Sequence, residues 1–259
     1  IKVRVTNGSG LQTTSTALTV STSEITLPTY SIDTTGWAKR KVVTVTYPAR
    51  QTDFVYQYST NGGSSWTTVS SGTTAKVTFN ANGTIIARVT DGVNTVTAST
   101  YTVDKIDTGT PTAPTITGGS TSWTNTKRTI SVSTASTSAS GIKNYQYYIS
   151  TSNTTQTGGT WTDLASGKTS VDITTNGTRY IYFRAVNNVG KVGAISSPQT
   201  TKIDKTAATG VSVGKGTVTT KSIQVTANGT DSESGITKYE FSKDNGSTWV
   251  SNGASNTYT

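Results

Sequence analysis

The sequence contains no cysteine, no methionine and no histidine. Without cysteine there is no disulfide framework, so any small β-domains must hold by packing alone. Without histidine or cysteine, the usual nucleophile–base pairs and the commonest zinc sites are excluded. Charged residues make up 14% and hydrophobic residues 31% of 259 residues, both below the usage of ordinary globular domains. No apolar run approaches the roughly 20 residues of a membrane-spanning helix, so no membrane span is expected. No secretory leader is visible and the chain opens in a strand pattern at Ile1. Both features are expected of a piece of a longer protein.

Thr, Ser, Gly and Asn fill the gap, interleaved with Val, Ile and Tyr in alternating runs. Disordered chains lack such β-branched and aromatic residues, whereas strands with one wet face require them. The formal charge is +9, from 22 basic and 13 acidic residues. Only Lys39-Arg40-Lys41 is densely basic, with Lys127-Arg128 a weaker echo. A nucleic-acid binder concentrates such charge on one face of a recognisable module. Spread thinly, it implies solubility and weak attraction to anionic surfaces, with no nucleic-acid partner.

An internal repeat organises the chain. The stretch SKDNGSTW carries Ser242, Asp244, Gly246, Thr248 and Trp249 at the spacing of the Asp-box hairpin, which it resembles. STNGGSSW repeats it with Ser59, Asn61, Gly63, Ser65 and Trp66, and STSNTTQTGGTW gives a longer-tipped version with Gly158 and Trp161. The tryptophans recur at spacings of 95 and 88 residues. A second marker follows: NGTIIARVTDG matches NGTRYIYFRAVNN, and IKVRVTNGSG is its tail, so Arg4, Arg88 and Arg184 are equivalent. A linker marker, YTVDKID and TTKID, and a marker before the strands, GWAKRK and SWTNTK, complete the set.

Each copy has the length and turn rhythm of an immunoglobulin-like sandwich. The expected layout is the C-terminal strands of a preceding repeat at 1–24, full repeats at 25–107 and 108–204, and the start of a further repeat at 205–259. Same-face runs identify the inner sides of two packed sheets. They are Val43 and Val45, Phe54, Tyr56 and Tyr58, and Ile85, Ala87 and Val89 in the first full copy. Ile130 and Val132, Tyr145, Tyr147 and Ile149, and Ile181, Phe183 and Ala185 follow in the second. Ile1, Val3 and Val5 belong to the leading piece, and Ile223, Val225, Tyr239 and Phe241 to the trailing one. The fold class expected is all-β: tandem immunoglobulin-like or fibronectin-III-like sandwiches forming an elongated rod, at roughly 40 Å per repeat.

In the hairpins, Ser59, Asn61, Gly63, Trp66, Gly158, Trp161, Ser242, Asp244, Gly246 and Trp249 read as a structural lock. The short polar side chain bonds its own turn, Gly supplies positive φ, and Trp packs the hairpin end onto the core. A sialidase would need blades of about 50 residues and a pocket with an arginine cluster, a tyrosine nucleophile and carboxylates; the chain shows neither that period nor enough acids. GKT at 167–169 lacks the Gly that a phosphate-binding loop needs five residues before Gly167; that position is Thr162. No catalytic residue, cofactor or metal site is expected. Asp104, Asp107 and Asp204 near the joints are too few for a calcium cage. Six Asn-x-Ser/Thr sites, at Asn7, Asn82, Asn153, Asn176, Asn228 and Asn245, are mostly Asn-Gly turns. Tyr148 and Tyr182, on outer faces, are the candidates for stacking on sugar rings.

Taken together, WTN, SGI-x-x-Y, S-x-D-x-G-x-T-W, NGT and IDKT resemble the bacterial Ig-like repeats of large surface proteins, which also occur on phage fibres. The likeness covers almost the whole chain; TAAT at 206–209 and the missing SGI of the first copy depart from it. It implies a non-enzymatic spacer, stalk or filament segment of an exported protein, extracellular on a bacterial surface or on a virion fibre. The partners implied are neighbouring repeats of the same chain, with self-assembly into a filament, and cell-wall or surface glycans under the alternative reading as an adhesive module. Trp66 to Arg88 is 22 residues and Trp161 to Arg184 is 23, against 14 from Trp249 through Thr259 and on to Arg4. That count favours one long covalent array over head-to-tail strand complementation.

Overall fold

The computed structural model describes residues 1–18, 24–154 and 158–259. The chain divides into two units, Ile1–Thr108 and Gly109–Thr259. Every regular element among the described residues is a β-strand.

The first unit begins with a hairpin of β1 (Arg4–Thr6) and β2 (Gln12–Thr14), followed by β3 (Thr29–Ile32), β4 (Lys41–Thr46) and β5 (Val55–Ser59). Then come β6 (Thr67–Thr68), β7 (Thr74–Phe79), β8 (Gly83–Thr90), β9 (Thr95–Thr97) and β10 (Tyr101–Val103). One sheet has the order β3-β4-β7, and the other β10-β8-β5-β6 with β9 also on β8. Every pairing is antiparallel. The alternation of β4 and β8 sends Val43, Val45, Ile85, Ala87 and Val89 inward, all at zero exposure, where they meet Tyr56, Phe54, Phe79 and Ile106.

The second unit repeats this plan. Its strands are β11 (Thr115–Thr117), β12 (Arg128–Thr134), β13 (Ile142–Ser150), β14 (Thr162–Asp163), β15 (Ser170–Ile173), β16 (Gly177–Asn187) and β17 (Gln199–Ile203). Sheets β11-β12-β15 and β14-β13-β16-β17 enclose Ile116, Ile130, Tyr145, Leu164, Ile173, Ile181, Phe183, Ala185 and Ile203. Three strands against four, joined A to B to E and C′ to C to F to G, is the order of immunoglobulin and fibronectin-III sandwiches.

In both sandwiches the strand after the F strand leaves it part-way, which strands one backbone amide. Ser196 solves this in the second unit: its amide donates to the Phe183 carbonyl and its Oγ accepts the Phe183 N–H at 3.0 Å. The first unit has Ala98 there, bonded to the Ala87 carbonyl but without a hydroxyl. The Tyr30 hydroxyl, from the opposite sheet, accepts the Ala87 N–H at 2.8 Å instead. An unpaired buried amide is expensive, so two sequences that differ at this point find two different hydroxyl acceptors for the same backbone donor.

Two of the sequence markers prove to be neighbours. Ala38, beside Trp37, forms a parallel bridge to Ile106, and Thr124, beside Trp123, forms one to Ile203. Each start marker is therefore stitched to the linker at the far end of its own sandwich. The basic triplet is not a surface patch, because Lys41 occupies an inward position of β4 and is 1% exposed.

The rest of the second unit contains β18 (Thr209–Val218), β19 (Ile223–Thr230), β20 (Glu240–Phe241), β21 (Val250–Ser251) and β22 (Thr257–Tyr258). They form the sheets β18-β19-β22 and β20-β21. This is the first half of the same plan, with its inner face open: Val211, Val213 and Ile223 are 75%, 67% and 47% exposed.

Candidate functional site

The hairpins are built by their own side chains. In the first, Ser59 Oγ donates to Asn61 Oδ1 at 2.8 Å and accepts the amides of Asn61 and Gly63. Asn61 Oδ1 also accepts the Ser65 amide at 3.0 Å. The third hairpin reproduces this with a carboxylate. Ser242 Oγ donates to Asp244 Oδ1 at 2.7 Å and accepts the Gly246 amide, while Thr248 donates its amide to Oδ1 and its hydroxyl to Oδ2. The Thr248 hydroxyl, the Thr248 amide and Ser242 hold the Asp244 carboxyl down at about 2. Gly63 and Gly246 both have φ +89°, which a side chain would resist.

The second hairpin differs in detail. Ser150 Oγ accepts the Ser152 amide, and its tip includes residues 155–157, outside the described ones. Its positive-φ position is Gly159, at +111°; a Cβ there would lie 2.8 Å from the Tyr148 ring. Gly158 sits beside it with open space around it.

The tryptophans do not enter the cores. Thr67 pairs with the inward Tyr58, so Trp66, one residue earlier, falls on the outer face with Gln57. There the Arg88 guanidinium lies 3.9 Å from the Trp66 ring centroid while its Nε donates to Gln57 Oε1 at 2.9 Å. Trp161 is placed the same way: Thr162 pairs with Tyr147, Arg184 lies 4.2 Å over the ring, and Arg184 Nε donates to Gln146 Oε1 at 2.7 Å. Burial depresses the Arg184 pKa, an effect that Asp163 opposes. Trp249, one residue before Val250, which pairs with Phe241, faces outward as well but has no arginine and is 61% exposed. The repeat arginines, which the sequence marks only as equivalent positions, are thus the partners of the repeat tryptophans.

The residues suggested for sugar stacking are engaged. Tyr182 has zero exposure, with its hydroxyl donating to the Ser152 and Thr154 carbonyls at 3.3 and 2.9 Å. Tyr148 packs on Trp161 with ring centroids 5.7 Å apart. Asp107 and Asp204 are 3% and 7% exposed, whereas Asp104 is exposed. Asp204 accepts the Thr206 and Ser234 amides on its two oxygens, and hydrogen bonds from Ser234 and Thr206 lower its pKa. Among the described residues, no three or more acidic side chains are grouped to hold a metal ion. Asn82 accepts the Ile106 amide and Asn176 donates to Thr206, so both brace linkers.

Strand order and packing thus define a chain of tandem immunoglobulin/fibronectin-III-like β-sandwiches. No protein-family model matches the sequence, and no curated protein matches it. Among solved structures, the chicken CNTN1 FN1-FN3 domains are similar at 13% identity and a TM-score of 0.32, covering 77% of this chain and 76% of that one. Domains A168-A170 from titin are similar at 17% identity and a TM-score of 0.37, covering 78% and 74%.

Proposed function

We propose that the chain is a non-enzymatic spacer: a run of sandwiches in an extracellular stalk or fibre of bacterial or phage origin, setting length between other parts of the protein. The observation that carries this reading is the fate of the repeated side chains. Arg88 and Gln57 close over Trp66, Arg184 and Gln146 close over Trp161, and the hairpin polar groups bond their own turns. What recurs in the two full sandwiches is spent on holding each of them, as expected where stability is local and length is added by repetition. The bacterial and surface setting rests on the resemblance of the repeat motifs.

Single-molecule pulling on an end-tethered chain tests the spacer. Each sandwich should give its own unfolding event, releasing about 30 nm of contour at roughly 3.6 Å per residue. One event spanning both sandwiches would count against serial, self-contained units.

A further inference from the structure

The linker that leaves the second sandwich is bonded on both of its sides. Asp204, directly after β17, donates its amide to the Thr124 carbonyl at 2.9 Å, so its backbone belongs to that sandwich. Next to it, Lys205 Nζ donates to the Thr174 carbonyl at 3.1 Å, and the Thr206 hydroxyl accepts Asn176 Nδ2 at 3.0 Å. Thr174 and Asn176 form the turn between β15 and β16. The Asp204 side chain reaches the other way. Its Oδ2 accepts the Ser234 amide at 3.2 Å, in the loop between β19 and β20, while Oδ1 accepts the Thr206 amide at 2.9 Å. Asp204 is only 7% exposed.

The receiving loop is shaped by its own acid. Asp231 Oδ1 accepts the amides of Glu233, Ser234 and Gly235 at 3.0, 2.9 and 3.1 Å. The Ser234 amide is therefore shared between Asp231, within the loop, and Asp204, from the linker. A cleft of about 160 Å³ lies between linker and loop, and Asp204, Asp231 and Glu233 all line it. In the preceding repeat the same Ser-Gly-Ile marker, at 140–142, is led by Ala139 in place of Glu233. The third carboxylate is particular to this joint.

Three acids meet here, with Arg179 of β16 as the opposing charge on Glu233. Lys205 is turned back to Thr174, and Lys202 lies over the Trp123 ring. Hydrogen bonds from Ser234 and then Thr206 lower the Asp204 pKa, and one from Glu233 adds to them. Partial loss of solvent, then the Asp204 charge and the hydrogen bond to it, raise that of Glu233. Two carboxyls in such contact resist ionising together, and one proton between them joins them. The raised Glu233 gives stabilisation that is full below its unfolded value and lost as pH rises through the folded one. The lowered Asp204 gives stabilisation that is full above its unfolded value and lost as pH falls through the folded one.

We propose that this joint is a pH-dependent latch: the second sandwich and the repeat that follows are held at a fixed angle while Asp204 and Glu233 share one proton, and swing freely when the pair carries two charges or none. With one proton, Asp204 keeps both amide bonds and Glu233 closes the cleft onto it. With two charges, Glu233 and Asp204 repel and the loop is pushed off the linker. With none, Asp204 loses the charge that holds the Ser234 and Thr206 amides. The joint is therefore stiffest in mild acid, slacker toward neutrality and slack again in strong acid. This goes beyond the spacer reading, which stands whether the joint is stiff or slack.

Time-resolved energy transfer between two dyes on the chain tests it. The sequence has no cysteine, so Ser166→Cys in the second sandwich and Lys221→Cys in the following repeat, both exposed, give two unique labelling sites. The expected distance distribution is narrow in mild acid, broadens as pH rises toward neutrality, and broadens again in strong acid. Glu233→Gln, uncharged at every pH, should stay narrow to neutrality and keep only the acid-side loss. Asp204→Asn, which replaces one acceptor oxygen with a donor, should be broad throughout. A second pair within the second sandwich, Ser166→Cys with Lys143→Cys, should not change across mild acid and neutrality. A width indifferent to pH between mild acid and neutrality would overturn the proposal, as would a Glu233→Gln variant that broadens like the parent. Equal broadening of the pair within the sandwich would overturn it too, as melting of that sandwich.

Discussion

Arg88 lies over Trp66, 3.9 Å from guanidinium carbon to ring centroid, and Arg184 lies over Trp161 at 4.2 Å. Each arginine comes from the F strand and each tryptophan from the entrance to the edge strand, so the contact clamps the outer side of the four-stranded sheet across three strands. Gln57 and Gln146 hold the guanidinium planes from the strand between. A cation held flat on an indole is worth about 0.5–2 kcal/mol, depending on how far water is excluded.

A double-mutant cycle on Trp66→Ala and Arg88→Ala should therefore give a coupling of about 0.5–2 kcal/mol in the unfolding of the first sandwich, with the second unchanged. Trp249→Ala, lacking a guanidinium, should move stability by less than about 0.5 kcal/mol. Domain-resolved denaturation checks both. Equal losses at Trp66 and Trp249 would refute the clamp.

Much of the fold is legible because side-chain direction in a strand has period two. Val43 and Val45, Tyr56, and Ile85, Ala87 and Val89 could be placed inward from alternation alone, and all are buried. The same rule locates Trp66 outside, one step out of phase with Tyr58 across the hairpin, but an aromatic at a hairpin end reads first as a core anchor. Tyr182 misleads in the other direction: alternation sets it outward, and the carbonyls of Ser152 and Thr154, 30 and 28 residues away in no local pattern, cover its hydroxyl. The replacement of Ser196 by Tyr30 as the acceptor for a stranded amide is a contact between sheets, so no local spacing reveals it.

Core truncations should be severe and confined to one sandwich. Ile85→Ala and Ile181→Ala each empty a site of zero exposure, and should cost about 2–5 kcal/mol. Hydrogen exchange should show protection lost in the affected sandwich and retained in the other. Parallel loss in both would mean that the two cores unfold as one.

Asp244 gives the third hairpin an acid sensitivity that the first cannot have, since Asn61 stands in its place. Its carboxyl is held at about 2, well below the ordinary aspartate range, foremost by the Thr248 hydroxyl. A carboxylate lowered in the folded state stabilises above its unfolded value, and that contribution drains away as pH falls through the folded one. The hairpin should therefore loosen between about pH 4 and pH 2, and Asp244→Asn should abolish the dependence. Titration of the Asp244 carboxyl by NMR checks it; an ordinary midpoint would contradict the hydrogen-bonded lock.

The central claim, that these sandwiches are spacers in series, is tested most directly by small-angle X-ray scattering on the chain at low concentration. A spacer predicts an extended, multi-lobed particle with a radius of gyration well above the roughly 18 Å of a single compact domain of this length. A radius near that value, with the profile of one globule, would contradict it.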